Sequence, residues 1–525
     1  MQDNLDKKML LALALSLVVL LVYQVFFTPP PPKKLPHAQK SAQQSVKSTN
    51  ALQKKSLSAT SSKISKEGLS PTKAVNEKKI TIETPYYQAV LSTRGATIIG
   101  WKLKKYFDDK GQEIVLEKGS PKVPALAIGI DDNFSFGMVN FEVSPDTKKI
   151  TLTNSGDSAS IQFTYSDGQR LIKRTYTFYG NDYKVDVVEE VTGVPNYWLT
   201  LGTGFGISGT GGYRGHVGPV ILKEADRKEI KPHKVKEPLV FNKDLKWIAQ
   251  EDKYFFASIV PREKATAKVW RTRSGVVLTA INLPSGKNSY ILYAGPKEHD
   301  RLKKLGVGLE HIVDFGFFSI LARPLFWILK KLYALTGNYG WAIILLTIIL
   351  RVPFIPLINK GQASMKKLQA IQPKMNEIRQ KYKKDPQKMQ KEMMELYKKH
   401  RVNPMGGCLP MLIQIPFFFA LYKVLLVAIE LRGAPFMLWI QDLSKKDPYY
   451  VLPIIMGITM YIQQKMTPTT ADTQQQKIMQ YLPVIFTFLF LSFPSGLVLY
   501  WLVTNILSII QQYFVNRKLA TQAIK

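Results

Sequence analysis

The feature that most limits what this chain can fold into is a series of apolar runs in its C-terminal part. They are Tyr339 to Ile358, Leu409 to Ile429, Tyr449 to Met466, Ile478 to Phe493 and Leu497 to Phe514. An α-helix needs roughly 17–25 apolar residues to cross the hydrocarbon of a bilayer. The runs read as membrane spans. The C-terminal ones are short and would thin the bilayer locally or need shielding by neighbours. The last two are separated only by Pro494-Ser495-Gly496, which predicts a tight hairpin. A further run, Met9 to Phe27, follows Lys7 and Lys8. A signal peptide has a shorter apolar region, about 7–15 residues, ending at a small-residue cleavage site. This run is longer and meets Tyr23, Phe26, Phe27 and a proline block, so residues 1–27 read as an uncleaved anchor.

Charge orients these spans. Lys and Arg total 72 against 39 acidic residues, a formal charge of +33, a surplus that suits nucleic acid, anionic lipid or an orientation signal. Much of it falls between Lys360 and Arg401. Short basic loops stay in the cytoplasm. Lys7 and Lys8 place the N-terminus there too, so the segment after the anchor lies outside. The basic segment returns inside only if one of the two apolar segments before it crosses. Tyr339 to Ile358 is the better span. Ile312 to Leu335 carries Asp314, Arg323, Pro324, Lys330 and Lys331, and is expected to lie along the outer face as an amphipathic helix, charges toward water. Six spans with both termini cytoplasmic then satisfy every basic cluster.

Between anchor and spans the composition changes twice. Residues 28–76 open TPPPPKKLP and continue in Ser, Gln, Lys and Ala, a linker too poor in apolar residues to form a core. Residues 77–311 alternate with period two. Ile161, Phe163 and Tyr165, then Arg174, Tyr176 and Phe178, then Tyr183, Val185 and Val187 are separated by Ser-Asp-Gly and Gly-Asn-Asp turns. That pattern predicts antiparallel strands with one buried face, and its extent a large β-sandwich. GTGGYRGHVG, from Gly209, has no helix pattern behind it and reads as a flexible surface loop rather than a phosphate loop.

The expected organisation is therefore a polytopic α-helical membrane protein with a large antiparallel β-sandwich outside. Its parts are the anchor 1–27, the linker 28–76, the β domain 77–311, an interfacial helix 312–336, a second span 337–359, a basic hairpin 360–406, spans three to six over 407–515, and a short basic tail 516–525. In the hairpin Leu368, Ile371, Met375, Ile378 and Tyr382 keep a helical spacing, as do Met389, Met393, Leu396 and His400. Asp385 and Pro386 between them form a helix start, so two helices with narrow apolar seams make an antiparallel coiled coil. Pro373 is expected to bend the first helix. The basic face, with Lys374, suits lipid head groups, and a role toward ribosomal RNA stays open.

One residue does not belong in lipid. Arg351 lies nine residues before Lys360, about 13 Å from the cytoplasmic end at ~1.5 Å per residue. Facing lipid there costs at least ~2.5–3.5 kcal/mol, so it either snorkels or faces a wet cavity between spans, and the depth favours the cavity. Thr347 lies one turn earlier on the same face. Gln414, Thr504 and Asn505 lie within other spans, the last two one turn beyond Tyr500 and Trp501. Singly, each reads as an interhelical hydrogen bond. No Asp, Glu or His lies inside a span, which speaks against cation-coupled transport and intramembrane serine proteolysis. No metal-ligand cluster, cofactor motif or P-loop is present, and the single Cys408 forms no intrachain disulfide. A lone deep cation suits attraction of something acidic or polar. A solute transporter with an external binding domain, and a chaperone that only assists other translocases, remain alternatives.

VNPMGGCLPMLIQIPFFFALYKVLL, ELRGAPFMLWIQDLSKKDPYYVLPIIMGITMYIQQKM, QQQKIMQYLPVIFTFLF and FPSGLVLYWLVTNILSIIQQ resemble the YidC membrane protein insertases of the Oxa/Alb3 superfamily. The anchor, β domain and interfacial helix resemble the Gram-negative version of that layout. The resemblance implies a non-enzymatic insertase and chaperone of the bacterial inner membrane, with the β domain in the periplasm. It implies a hydrophilic groove open to the cytoplasm and to lipid but closed outward. The family's groove arginine and threonine fall on Arg351 and Thr347, and its aromatic pair on Tyr500 and Trp501. Many relatives have tyrosine at the second position, and Trp501 keeps an amphipathic ring without the phenol. Implied partners are nascent membrane proteins, the Sec translocon, the ribosome or signal recognition particle machinery, and anionic phospholipids. The short stretch after Arg517 gives no expectation of tail-mediated ribosome docking.

Overall fold

The computed structural model describes residues 77–119, 123–209, 215–242, 244–400, 402, 409–467 and 473–524. The anchor 1–27, the linker 28–76 and the centre of the glycine-rich loop, 210–214, lie outside the described residues.

Among the described residues the N-terminal half forms two sheets. The smaller has five strands in the order Glu113–Glu117, Thr97–Phe107, Tyr87–Ser92, Lys79–Glu83 and Lys149–Thr151. The larger has twelve, with Lys184–Thr200 and Val277–Pro296 as its long central pair. The alternation read from the sequence is the alternation of burial. Ile172, Arg174, Tyr176 and Phe178 point inward while Leu171, Lys173, Thr175 and Thr177 are partly exposed. One pairing departs from the antiparallel expectation: Thr81 to Glu83 run parallel to Lys149 to Thr151. Period-two patterning fixes which face is buried but carries no information on strand direction. Tyr87 stacks on Trp101 at 4.2 Å and faces Tyr183 at 6.3 Å, which joins the sheets in one core. Arg174 is fully buried in that core, paired with Glu189 at 2.5 Å and donating to the carbonyls of Ala96 and Leu126.

The C-terminal half is helical: α1 (His299–Lys304), α2 (Ser319–Thr336), α3 (Tyr339–Arg351), α4 (Ile355–Ala370), α5 (Gln372–Lys381), α6 (Pro386–Lys399), α7 (Leu409–Val427), α8 (Val451–Met466), α9 (Thr473–Phe490) and α10 (Ser495–Ile524). Among the described residues two stretches, Tyr339–Ala370 and Ser495–Arg517, are long and apolar enough to cross a membrane. Ile413–Val427 and Gln480–Phe490 are apolar but shorter. The amphipathic helix starts at Ser319 rather than Ile312. Gly316 adopts φ +69° and its N–H is taken by Asp314 Oδ1 at 2.8 Å, a turn no helix can pass through. α2 packs on α3 and α7 through Ala322, Leu325, Phe326 and Leu329 and leaves Ile320, Trp327 and Leu335 exposed. Gly337 ends it in the left-handed region, and Asn338 caps α3 by accepting from Gly340 N at 2.8 Å and Trp341 N at 3.3 Å.

The basic segment departs from the expected hairpin in its first arm, which is interrupted rather than continuous. Helix continues past residue 360 to Ala370, breaks at Ile371, and restarts with Pro373 in the first turn of α5. Proline lacks the N–H that a first turn leaves unbonded, so a new start accommodates it where a bend would not. Asp385 Oδ1 accepts from Lys388 N at 3.0 Å and Pro386 opens α6. Leu368, Ile371, Met375, Leu396 and Val402 form a small separate cluster, from which Tyr382 and Met389 are absent, and Lys374 is exposed. Beyond residue 516 the chain is not an irregular tail: α10 runs on to Ile524.

Candidate substrate groove

Arg351 is the last residue of α3. Pro353 and Pro356 follow, and neither can donate to a carbonyl one turn back, so the helix tightens into a single 3-10 turn over Val352–Phe354 before α4 begins. The cation therefore sits where this turn interrupts the α-helical hydrogen bonding.

The side chain turns toward α10. Nη2 donates to Ser508 Oγ at 2.8 Å and to Gln511 Oε1 at 3.2 Å. Nε is buried without a partner. A partly open cavity of about 30 Å³ adjoins it, lined by Thr347, Leu350, Arg351, Phe354, Ile358, Gln414, Phe417, Tyr500 and Thr504. Four elements build it: α3 and α4, α7, and α10. Thr347 is buried and its hydroxyl donates to Ile343 O at 2.7 Å, so it adds a small polar wall rather than a free donor. Thr504 likewise donates to Tyr500 O at 2.9 Å. Phe354 meets Phe417 edge-on at 5.3 Å.

Five of the residues singled out from sequence line this cavity: Arg351, Thr347, Gln414, Tyr500 and Thr504. Two do not. Trp501 follows Tyr500 by about 100° around the helix and points into an aromatic cluster, 4.8 Å from Phe418 and 5.0 Å from Phe490. Asn505 is buried against α8, with Nδ2 3.3 Å from Thr459 Oγ1 and 3.4 Å from Met456 O. It is an interhelical hydrogen bond, the reading that each of these residues carries singly. The wet hollow expected around Arg351 is also small. About 10–15 Å³ holds one water, so this cavity takes roughly two and no peptide segment.

Sequence reading missed Ser508, Gln511 and Asn359. Gln511 Nε2 donates to Asn359 Oδ1 at 2.7 Å, so these three extend the polar lining from Arg351 along α10 and α4. A signal was available: Tyr500, Thr504, Ser508 and Gln511 recur at helical spacing on one face of an otherwise apolar run.

Comparison with known proteins covers both halves. Residues 331–522 match the family described as 60Kd inner membrane protein, and residues 79–328 match the YidC periplasmic domain. A membrane protein insertase YidC of Syntrophus aciditrophicus is 41% identical over 98% of this chain and 100% of its own. One of Geotalea daltonii is likewise 41% identical, over 98% and 100% of the two chains. A solved active YidC insertase, with its first transmembrane domain resolved, aligns with 84% of this chain and 93% of its own at 20% identity and a TM-score of 0.37, too loose an overlay to carry weight. With a β-rich domain matching the family's periplasmic domain and a helical core matching its inner-membrane part, the chain belongs to the YidC family of membrane protein insertases.

Proposed function

We propose that this insertase works through the Arg351 cavity: it receives the polar end of a nascent membrane protein, lowers the cost of desolvating it, and releases the apolar segment sideways into lipid. The observation that carries this reading is the guanidinium itself, half-buried between helices, with Nε unpartnered and only neutral acceptors at Nη2. On an insertion scale a central Asp costs ~2.5–3.5 kcal/mol, while each Leu, Ile, Phe or Val returns about 0.3–0.6. A single carboxylate in the translocated end thus cancels the gain from roughly four to twelve apolar residues. A charge-assisted contact to Arg351 offsets that cost for the short time it matters. The rest is hydrophobic transfer, which needs no nucleotide. The cavity is small at rest, so client entry parts α4 and α7 from α10.

The topology that goes with this mechanism has six spans: the anchor 1–27, a second span over 337–359, and four over 407–515. Both termini and the basic segment 360–406, a helical hairpin, lie in the cytoplasm. The β domain 77–311 lies in the periplasm, with 312–336 along the outer face, and 516–525 as a basic cytoplasmic end. The groove then opens to the cytoplasm and lipid. Lys374 and its basic neighbours meet anionic phospholipid or the delivery machinery, ribosome or signal recognition particle, while Asp385 and Pro386 set the turn between the hairpin's arms. The protein acts alone or beside the Sec translocon, as insertase and as folding chaperone, without chemistry on its clients.

The test is reconstituted insertion of a single-span client whose translocated end is acidic. Arg351→Ala is expected to lose insertion and Arg351→Lys to keep most of it. Unchanged insertion by Arg351→Ala refutes the reading.

A further inference from the structure

Gln511 is tied to both sides of the helix break at Arg351. Its Oε1 accepts from Arg351 Nη2 at 3.2 Å. Its Nε2 donates to Asn359 Oδ1 at 2.7 Å and to Ile355 O at 3.3 Å. Arg351 closes α3, whereas Ile355 and Asn359 belong to α4, the helix that runs on into the basic segment. One side-chain amide, anchored on α10, therefore joins the guanidinium to the next helix. The amide can do this because its oxygen accepts while its nitrogen donates.

The arrangement holds the arginine but satisfies it poorly. A guanidinium has five N–H donors. Here Nη2 meets two neutral oxygens, Nε is buried with no partner, and among the described residues no carboxylate pairs with it. A carboxylate in the cavity would form shorter, charge-assisted bonds roughly twice as strong as those to a neutral acceptor. It would therefore displace Gln511 Oε1 and free Arg351, at the end of α3, from that contact with α10, while Gln511 Nε2 keeps its bonds to Asn359 and Ile355 of α4.

We propose that Gln511 is a positioning residue that holds Arg351 against α10 while the cavity is empty and gives it up to the acidic side chain of the entering client, the exchange freeing the end of α3 from this contact with α10. This rests on the groove reading above and adds to it the residue that holds the arginine ready and the exchange that frees it. Glutamate at position 511 would hold Arg351 permanently by an internal ion pair and could not donate to Asn359.

The experiment uses the full chain in liposomes and two single-span clients that differ only in one translocated residue, Asp or Asn. Gln511→Glu is expected to insert the Asp client roughly tenfold less well while inserting the Asn client within about twofold of the parent. An equal loss with both clients would mark a merely structural role, and no loss with either would mean the contact is idle. Both outcomes overturn the proposal. Should Gln511→Glu not fold, the parent protein carries the test: spin labels at Ile349→Cys and Ile510→Cys, in a Cys408→Ser background, are expected to move apart with the Asp client and not with the Asn client. No change with the Asp client overturns the proposal. Arg351→Ala separates the two levels. If it inserts the Asp client normally, the groove reading itself fails. If it loses that client while Gln511→Glu behaves as the parent, the positioning role alone falls.

Discussion

Arg432 joins the two halves of the chain by reaching the backbone of Phe107, 325 positions earlier: Nη2 donates to Phe107 O at 2.8 Å. The guanidinium also lies 5.3 Å from the Tyr254 ring and 5.6 Å from that of Phe255. Lys445 of the same loop pairs with Asp109 at 2.7 Å, both exposed, and on α2 Lys330 pairs with Asp300. The β domain is thus tied to the loop that follows α7 by this arginine and one weaker, exposed ion pair. Arg432→Ala is expected to weaken that seat by about 1–3 kcal/mol, the worth of a charged hydrogen bond with ring contacts. Faster hydrogen exchange over residues 97–107 and 429–447, with the sheet cores unchanged, is the sign to look for.

Arg174 predicts a larger effect from a deeper site. Its Nε meets Glu189 Oε1, and Nη1 serves the Ala96 and Leu126 carbonyls and the Tyr176 hydroxyl. Arg174→Met strands a buried carboxylate and the Leu126 carbonyl together, while Ala96 O keeps the Tyr176 hydroxyl at 2.6 Å. It should cost about 3–5 kcal/mol in chemical denaturation, whereas Arg174→Met combined with Glu189→Met should cost less than the single change.

Glu83 supplies a pH dependence. The hydrogen bond from Lys104, then that from Lys149, hold its carboxyl down from a usual value of 4.5 to about 2. A depressed acid contributes stability that is complete above its unfolded value and lost as pH falls through its folded one. The melting-temperature gap between the parent and Glu83→Gln is therefore expected to be constant above pH ~4.5, to shrink between about 4.5 and 2, and to vanish below.

Gly457 predicts a packing limit in the helical half. A Cβ there would collide with Thr487 Oγ1, where α8 lies against α9. Close approach of this kind needs small residues. Gly457→Val should lower stability in detergent by about 1–3 kcal/mol, measured by thermal unfolding, while the β domain's own transition stays in place.

The legible parts of this protein are those written in local periodicity. Period-two stretches such as Leu171 to Tyr179 gave both the strand and its buried face, on which Arg174 lies with Tyr176 and Phe178. Thr347 and Arg351 share a helix face by spacing alone, and both line the cavity. Trp501 and Asn505 show where spacing runs out. They sit beside Tyr500 and Thr504 in sequence, but a step of about 100° turns each toward a different neighbour. Which neighbour stands there is not encoded within the helix.

By itself the sequence determined which segments are strands and which are helices, where charge forbids lipid, and that one arginine had to find company within the apolar region. Those properties follow from one or two turns of chain and from the cost of burying charge. Only the tertiary structure decided that the company is Ser508 and Gln511, more than 150 residues away, that the cavity beside it is about two waters in size, and that the first strand pairs in parallel with Lys149–Thr151. Each of these depends on how finished elements pack against one another, and packing is chosen by shape and contact across the whole chain rather than by any local pattern.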